Sequence, residues 1–391
     1  MDTISLDSLT ALDTLLSDEE KLARDSARRF IREEFLPDIA GHFENATFPT
    51  EIIPRLGALG WLGASLEGYG CAGVGSVTYG LVLQELEYGD SGLRSLVSVQ
   101  GSLAMYAIHR FGSPEQKERW LPPMAAGKAV GCFGLTEPDF GSDPGGMRTT
   151  AKSTSGGFIL NGNKTWITNA PIADVLVVWA KLDGPGQEHI RGFILERGME
   201  GLGTPPIKNK MSMRASHTGE INLTDCFVPA ENILPGSGGL GSPLACLNQA
   251  RMGIAWGAMG AARACFDAAL EYSTSRMQFG MPIAGKQLIQ KQLADMAIEI
   301  TKASLTNLHF SRLKDKGRLS PIQVSMAKKN SVAQALTIAR TARSILGANG
   351  ISLEYAPVRH MLNLESVYTY EGTNEIHELI IGRGLTGVSA F

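Results

Sequence analysis

The sequence predicts an α+β protein in three consecutive parts, helices, then strands, then helices. Three observations carry this. Residues 1–128 place apolar side chains at helical spacing, residues 129–238 break into short β-rich runs separated by turn residues, and residues 239–391 return to long helical segments. A chain of 391 residues suits two or three domains at ~150 residues each. The three parts are taken as an N-terminal helical domain, a middle β domain and a C-terminal helical domain.

In the first part Ser17 and Glu20 have capping-box spacing, and Leu22, Ala27, Phe30 and Ile31 follow as an apolar stripe. Ser113 and Pro114 open a later helix, as N-cap and first helical residue. In the middle part, residues 130–135, 157–161, 164–168, 175–180, 190–195 and 220–223 read as strands, with Asn161-Gly162 as a turn between two of them. That spacing suggests a barrel or sandwich rather than βαβ units. In the last part Ile289, Leu293, Met296 and Ile300 fall on one helical face. Gly253, Gly257 and Gly260 make a small-residue face on an Ala-rich helix, where another backbone or a ligand could approach closely.

Composition removes several function classes. The net charge of −3 argues against a surface built to track nucleic acid. The longest apolar run, residues 175–180, is far short of the ~20 residues of a membrane span. Five scattered cysteines without a C-x-x-C pair and seven histidines without H-x-x-x-H spacing point to neither disulfides nor a metal. The acidic start differs from a basic targeting segment, so a bacterial cytoplasmic location is expected, or the mitochondrial matrix for a processed eukaryotic chain.

Five stretches carry residues that could bear chemistry. The G-x-G-x-x-G at residues 236–241 lacks a βαβ setting and an acid about 20 residues on, and reads as a linker. G-L-T-E-P-D-F-G-S-D at 134–143 follows a strand and offers hydroxyls and backbone N–H groups to a carbonyl- or phosphate-rich ligand, or is an ordinary Asx/Ser turn. K-T-W-I-T-N at 164–169 puts Trp166 in a strand, as a core residue or beside a planar cofactor. In Y-E-G-T at 370–373, Glu371 sits in a glycine-hinged turn as a general base or a solvated acid, with Thr373 as an N-cap. Arg94 follows Glu87 by seven residues, as a surface ion pair or as a clamp for a substrate carboxylate.

In this order, the motifs resemble the acyl-CoA dehydrogenase family of flavoproteins over residues 15–391, with R-M-Q-F-G at 276–280 and I-L-G-A-N-G at 345–350 completing the set. Within it, residues 87–95, 132–138, R-M-G-I-A-W-G at 251–257, 287–296 and the terminal Ala390-Phe391 are most similar to the branch acting on glutaryl-CoA. The resemblance implies a β-barrel-like middle domain, a C-terminal four-helix bundle and a homotetramer. It also implies FAD, held by Phe133, Leu135, Thr136, Gly141, Ser142, Trp166, Ile167, Thr168, Arg276, Phe279, Gln287, Ser344, Leu346, Gly347, Ala348, Thr373, Glu375 and Phe391. By the same resemblance Ser142, Leu244, Asn248 and Arg251 would meet the CoA arm. Tyr370, Gly372 and the Arg94, Ser95, Glu87 group would meet the acyl end.

The implied reaction is α-proton abstraction by Glu371 and β-hydride transfer to the flavin N5. Glutaconyl decarboxylation to crotonyl-CoA would follow, with an electron-transfer flavoprotein as acceptor. Another short-chain acyl-CoA dehydrogenase or oxidase, or a non-decarboxylating glutaryl-CoA dehydrogenase, is the alternative. Leu93, Met252 and Ala348 depart from the usual pattern. The first two are expected to bear on the acyl or CoA path, and Ala348 to need only a negative φ.

Overall fold

The computed structural model describes residues 4–390, so Phe391 lies outside the described residues. The first part contains α1 (Leu6–Thr10), α2 (Asp18–Phe30), α3 (Leu36–Asn45), α4 (Ile53–Ala58), α5 (Ser76–Gly89), α6 (Ser91–Ser98), α7 (Tyr106–Phe111) and α8 (Pro114–Ala125). Both N-terminal signals act as read. Glu20 N–H donates to Ser17 Oγ at 3.2 Å while Ser17 N–H donates to the Glu20 carboxylate at 2.9 Å, and Ser113 with Gln116 repeats the arrangement. Ala27, Phe30 and Ile31 enter the helical core, but Leu22 faces outward at 69% exposure, so the buried stripe of α2 is narrower than the pattern suggested. A π-helical segment, Val99–Met105, joins α6 to α7.

The middle part is one seven-stranded sheet of β1 (Gly131–Gly134), β2 (Thr150–Thr154), β3 (Gly157–Thr168), β4 (Val175–Leu182), β5 (Ile190–Glu196), β6 (Leu202–Gly203) and β7 (Thr218–Pro229). β4 pairs antiparallel with β5 on one edge, and in parallel with β1 and then β2 on the other. This explains its unbroken apolar run, because both faces are covered. Leu176, Val178 and Ala180 join Leu160, Phe193 and Ile221 inside the curved sheet, while Val175, Val177 and Trp179 pack on Leu103, Ile108 and Met124 of the helical part.

One expectation is corrected, and one strand went unread. Asn161-Gly162 is not a turn: β3 runs straight through it, and its ladder with β7 slips between Leu160 and Gly162. Gly162 has φ 145, and a Cβ there would stand 2.5 Å from Thr149 Oγ1, so this glycine serves a bulge and a close approach. β2 escapes sequence detection because only Ala151 of its five residues is buried.

The last part comprises α9 (Gly241–Ser275), a hairpin of β8 (Met277–Gln278) and β9 (Met281–Pro282), α10 (Gln287–Asp315), α11 (Pro321–Ile345), α12 (Ala356–Thr369) and α13 (Asn374–Thr386). Helices α9 to α12 share one core, in which Met296 and Ile300 are buried and Ile289 and Leu293 half-buried. The residues before α9 are a connection without a βαβ unit, anchored where Gly236 N–H meets the Phe111 carbonyl at 2.8 Å.

The glycine face of α9 meets α5. A Cβ on Gly260 would lie 1.8 Å from the Gln84 carbonyl oxygen, and one on Gly257 would lie 2.0 Å from Glu87 Oε2. Gly257→Ala is therefore expected to cost about 1–3 kcal/mol through overpacking and to push Glu87 off Arg94, read as a lowered melting temperature together with a raised KM. Among the described residues, no helix is long and apolar enough to cross a membrane, and no group of three His, Cys, Asp or Glu could hold a metal ion.

Candidate active site

Between α12 and α13 the backbone reverses at Glu371 and Gly372, with φ of 51 and 91. A non-glycine residue in this left-handed region costs about 1–2 kcal/mol, so neighbours must hold it there. Arg251 Nε of α9 donates to the Glu371 carbonyl at 2.9 Å, and Lys328 Nζ of α11 donates to the Gly372 carbonyl at 2.8 Å. Gly372 is needed because a Cβ would lie 2.9 Å from His377 Nε2. Thr373 caps α13, accepting the Ile376 N–H at 3.2 Å.

The Glu371 side chain has one oxygen, Oε2, that is closed off from solvent and has no hydrogen-bond partner. Burial pushes its carboxyl above the ordinary range, against the pull of Arg94, Arg251 and Lys328. An unpaired, sheltered carboxylate of raised proton affinity has the attributes of a general base. The solvated-acid reading does not describe it.

Arg94 and Glu87 form a buried pair, exposed by only 1% and 0%. Arg94 Nε donates to Glu87 Oε2 at 2.5 Å, and Ser91 Oγ donates to Glu87 Oε1 at 2.8 Å. Arg94 also donates to the Tyr370 hydroxyl and lies 5.7 Å from the centre of that ring. The surface-pair reading is thereby overturned. Asp90 sets the geometry: it caps α6 through Gly92 N–H at 2.7 Å, and accepts from Arg359 at 2.6 Å and Asn363 at 2.9 Å. One buried acid thus ties the helix carrying Arg94 to the helix that ends at Tyr370 and Glu371. Ser95 is buried beside Arg94, and Ser98, one turn on, has a buried hydroxyl without a partner.

The β side is organised by an ion pair that sequence reading missed. Glu137 accepts from Arg148 N–H at 2.6 Å, Thr149 N–H at 2.9 Å, Thr149 Oγ1 at 2.5 Å and Lys164 Nζ at 2.8 Å. Burial pushes Glu137 up, but Lys164 and these donors bring it below the ordinary carboxylate range; burial lowers Lys164 to about 8 against the pull of Glu137. The G-L-T-E-P and K-T-W-I-T-N stretches are thus joined through Glu137 and Lys164. Lys164→Met leaves Glu137 buried without its cation, and a loss of about 3–5 kcal/mol in denaturant unfolding is expected.

Just beyond Lys164, the β3–β7 ladder slips again before Ile167, and Thr165 N–H donates to the Thr136 carbonyl at 2.9 Å. The slip turns Trp166 outward, with φ 59 and 61% exposure. Trp166 is therefore not a core residue. Gly141 and Ser142 are exposed and Thr136 and Thr168 half-buried nearby in the chain, whereas Phe133, Leu135 and Ile167 are buried. An exposed indole among hydroxyls and amides suits a planar heteroaromatic ligand.

The remaining candidates lie on the helical part. Leu244 and Asn248 are half-buried on α9, where Arg251 Nη1 donates to Asn248 Oδ1 at 3.0 Å. Arg276, Phe279 and Gln287 project around the β8–β9 hairpin, Phe279 at 92% exposure. Ser344, Gly347 and Ala348 are exposed at the end of α11, Leu346 is buried in the bundle, and Ala348 stays outside the left-handed region. Asn349 Nδ2 donates to Tyr272 Oη at 3.2 Å, which ties that end to the C-terminal turn of α9. Glu375 is exposed. Leu93 and Met252 were expected near the acyl or CoA path, but Leu93 packs in the N-terminal core with Leu86 and Val97, and Met252 packs with Phe310 and Val324.

Comparison with known proteins gives the family. Models of the acyl-CoA dehydrogenase N-terminal, middle and C-terminal domains match residues 17–128, 132–226 and 237–386. The mitochondrial short-chain specific acyl-CoA dehydrogenase of Rattus norvegicus is 35% identical over 94% of this chain and 90% of its own length. A crystal structure of glutaryl-CoA dehydrogenase from Mycobacterium smegmatis is 54% identical, covers both chains fully and superposes with a TM-score of 0.97. A second glutaryl-CoA dehydrogenase from that organism, solved in complex with FADH2, is 49% identical with full coverage of both chains and a TM-score of 0.97. The chain belongs to the acyl-CoA dehydrogenase family.

Proposed function

We propose that the chain is an FAD-dependent glutaryl-CoA dehydrogenase that oxidises and decarboxylates its substrate to crotonyl-CoA and CO2. The observation carrying this reading is the buried Glu87–Arg94–Tyr370 cluster, which sets a guanidinium directly beside the turn of the base. A buried cation is costly, and a substrate carboxylate would complete its charge-assisted hydrogen bonding. The glutaryl-CoA dehydrogenases among the similar structures support the same substrate.

The residues present fit FAD. Trp166 is exposed on its bulge, the Gly141 position has open space around it, and Glu137, the buried acid of the loop, is satisfied by its own donors. Phe133 to Ser142, Trp166 to Thr168, Thr373 and Glu375 would hold it, and Arg276, Phe279, Gln287 and Ser344 to Ala348 would do so across a subunit contact in a homotetramer. Bound there, FAD supplies the acceptor for a hydride.

Leu244, Asn248, Arg251 and Ser142 would seat the CoA arm. The Glu371 N–H would donate to the thioester oxygen, so that negative charge developing there on α-proton loss is stabilised. Glu371 takes the α-proton as the β-hydrogen departs as hydride. Arg94 and Ser95 hold the distal carboxylate. Breaking its C–C bond releases CO2 and leaves the electron pair delocalised toward the thioester, stabilised by the same donor. Protonated Glu371 then returns a proton to the γ-carbon. The electrons pass on to an electron-transfer flavoprotein, and a bacterial cytoplasm is the proposed setting.

The second reading is a short-chain acyl-CoA dehydrogenase in which Arg94 serves only its protein partners, supported by the relative from Rattus norvegicus. Single-turnover bleaching of the holoenzyme separates the two. The glutaryl reading requires glutaryl-CoA to bleach the flavin with a second-order rate constant well above that of butyryl-CoA; the reverse order favours the second.

A further inference from the structure

We infer that Lys328 is a positioning residue for the catalytic base: its ammonium anchors the turn through the Gly372 carbonyl and sets a buried positive charge beside Glu371. This rests on reading Glu371 as the base. Lys328 is fully buried on α11, and Nζ donates to the carbonyls of Gly372 at 2.8 Å and Tyr368 at 3.4 Å. Those two carbonyls bracket Glu371 in the chain. Arg251 holds the carbonyl between them, so cations from two helices fix the left-handed turn from below.

The charged and titratable groups facing this point come from every neighbouring element. They are Tyr370 and Glu371 of the turn, Arg94 and Glu87 from α6 and α5, Arg251 from α9, and Glu375 and His377 from α13. Among the acids, Glu87 is engaged by Arg94 and Ser91, and Glu375 is exposed. Glu371, with an unpartnered oxygen, is left to feel the ammonium. His377 does not compete, because burial and the two cations lower it to about 3 and keep it neutral. Burial lowers Lys328 itself to about 7, with Glu371 the leading opposing influence, so the two titrate as a coupled pair. A proton lost from Lys328 removes an attraction that favours the Glu371 carboxylate, and raises the proton affinity of the base.

The test measures the pH profile of substrate-driven bleaching in the holoenzyme for wild type and for Lys328→Gln, Lys328→Met and Lys328→Arg. Gln keeps a donor without the charge, and Arg keeps the charge. The Gln and Met variants are expected to move the acid limb to higher pH by about one unit. At a pH below both limbs their rate should fall about tenfold, as one pKa unit requires there, with KM changed less than threefold. Lys328→Arg should return the limb toward wild type. A limb in Lys328→Gln that coincides with wild type, or an Arg variant no better than Met, overturns the inference.

A second readout needs no variant and no turnover. A 3-thia acyl-CoA can lose its α-proton but cannot deliver a β-hydride, so its enolate absorbance in the wild-type holoenzyme reports the base alone. Two coupled titration steps are expected, and one simple carboxylate step contradicts the pairing. Glu371→Gln is the control: if it retains bleaching, the base reading itself fails, which is a different result from an unmoved limb.

Discussion

Glu371→Gln is expected to slow bleaching by glutaryl-CoA by about 10²–10⁴-fold or more, the range general-base removal produces, while the protein stays folded and yellow. The substitution keeps the size of the side chain and removes only the proton acceptor. Because Oε2 has no protein partner, no buried cation loses a direct bond to it. Arg251 and Lys328 reach the turn through backbone carbonyls, which the substitution leaves in place. A melting temperature close to wild type together with lost bleaching is thus the expected pair of results. In the wild type, the rate should rise with pH through a limb above the ordinary carboxylate range, since burial raises the proton affinity of Glu371 and the deprotonated form is the active one.

Arg94→Gln should separate substrates. It leaves Glu87 buried with Ser91 alone, and removing one member of a buried charged pair costs about 2–5 kcal/mol. Expressed in kcat/KM, a loss of roughly 30-fold to several thousand-fold is expected for glutaryl-CoA. The loss for butyryl-CoA should be at least about tenfold smaller, since only the carboxylate contact, about 1.4 kcal/mol or more, distinguishes the substrates. Equal losses for both would make Arg94 a structural support for Tyr370 and the turn. Steady-state kinetics with the two thioesters, beside a melting curve for each variant, resolves the cases.

Local features were legible in the sequence, and features made by distant partners were not. The Ser17 capping box and the Ser113 and Thr373 caps depend on neighbours three or four residues away, and each has a residue-type signature. Trp166 stayed ambiguous because its outward turn is imposed by a ladder slip against β7, some 50 residues further along the chain. Asn161-Gly162 misled for the same reason. The Glu137–Lys164 pair escaped because its members lie 27 residues apart in what read as a loop and a strand, and Asp90–Arg359 spans 269 residues. Lys328 escaped because Lys328-Lys329 on a mixed helix looks solvated, while only Lys329 reaches the surface, where it meets Glu378. The family motifs identify the class of site; the network that tunes it appears only in three dimensions.

The most direct measurement mixes the holoenzyme with glutaryl-CoA and an artificial electron acceptor, then identifies the thioester product by mass and traps the released gas. Crotonyl-CoA with an equivalent of CO2 is the expected result, and it would place Glu371 and Arg94 in one pocket acting on one diacid chain. Glutaconyl-CoA without CO2 would contradict the decarboxylating step. No turnover of glutaryl-CoA, alongside bleaching by butyryl-CoA, would contradict the substrate assignment itself.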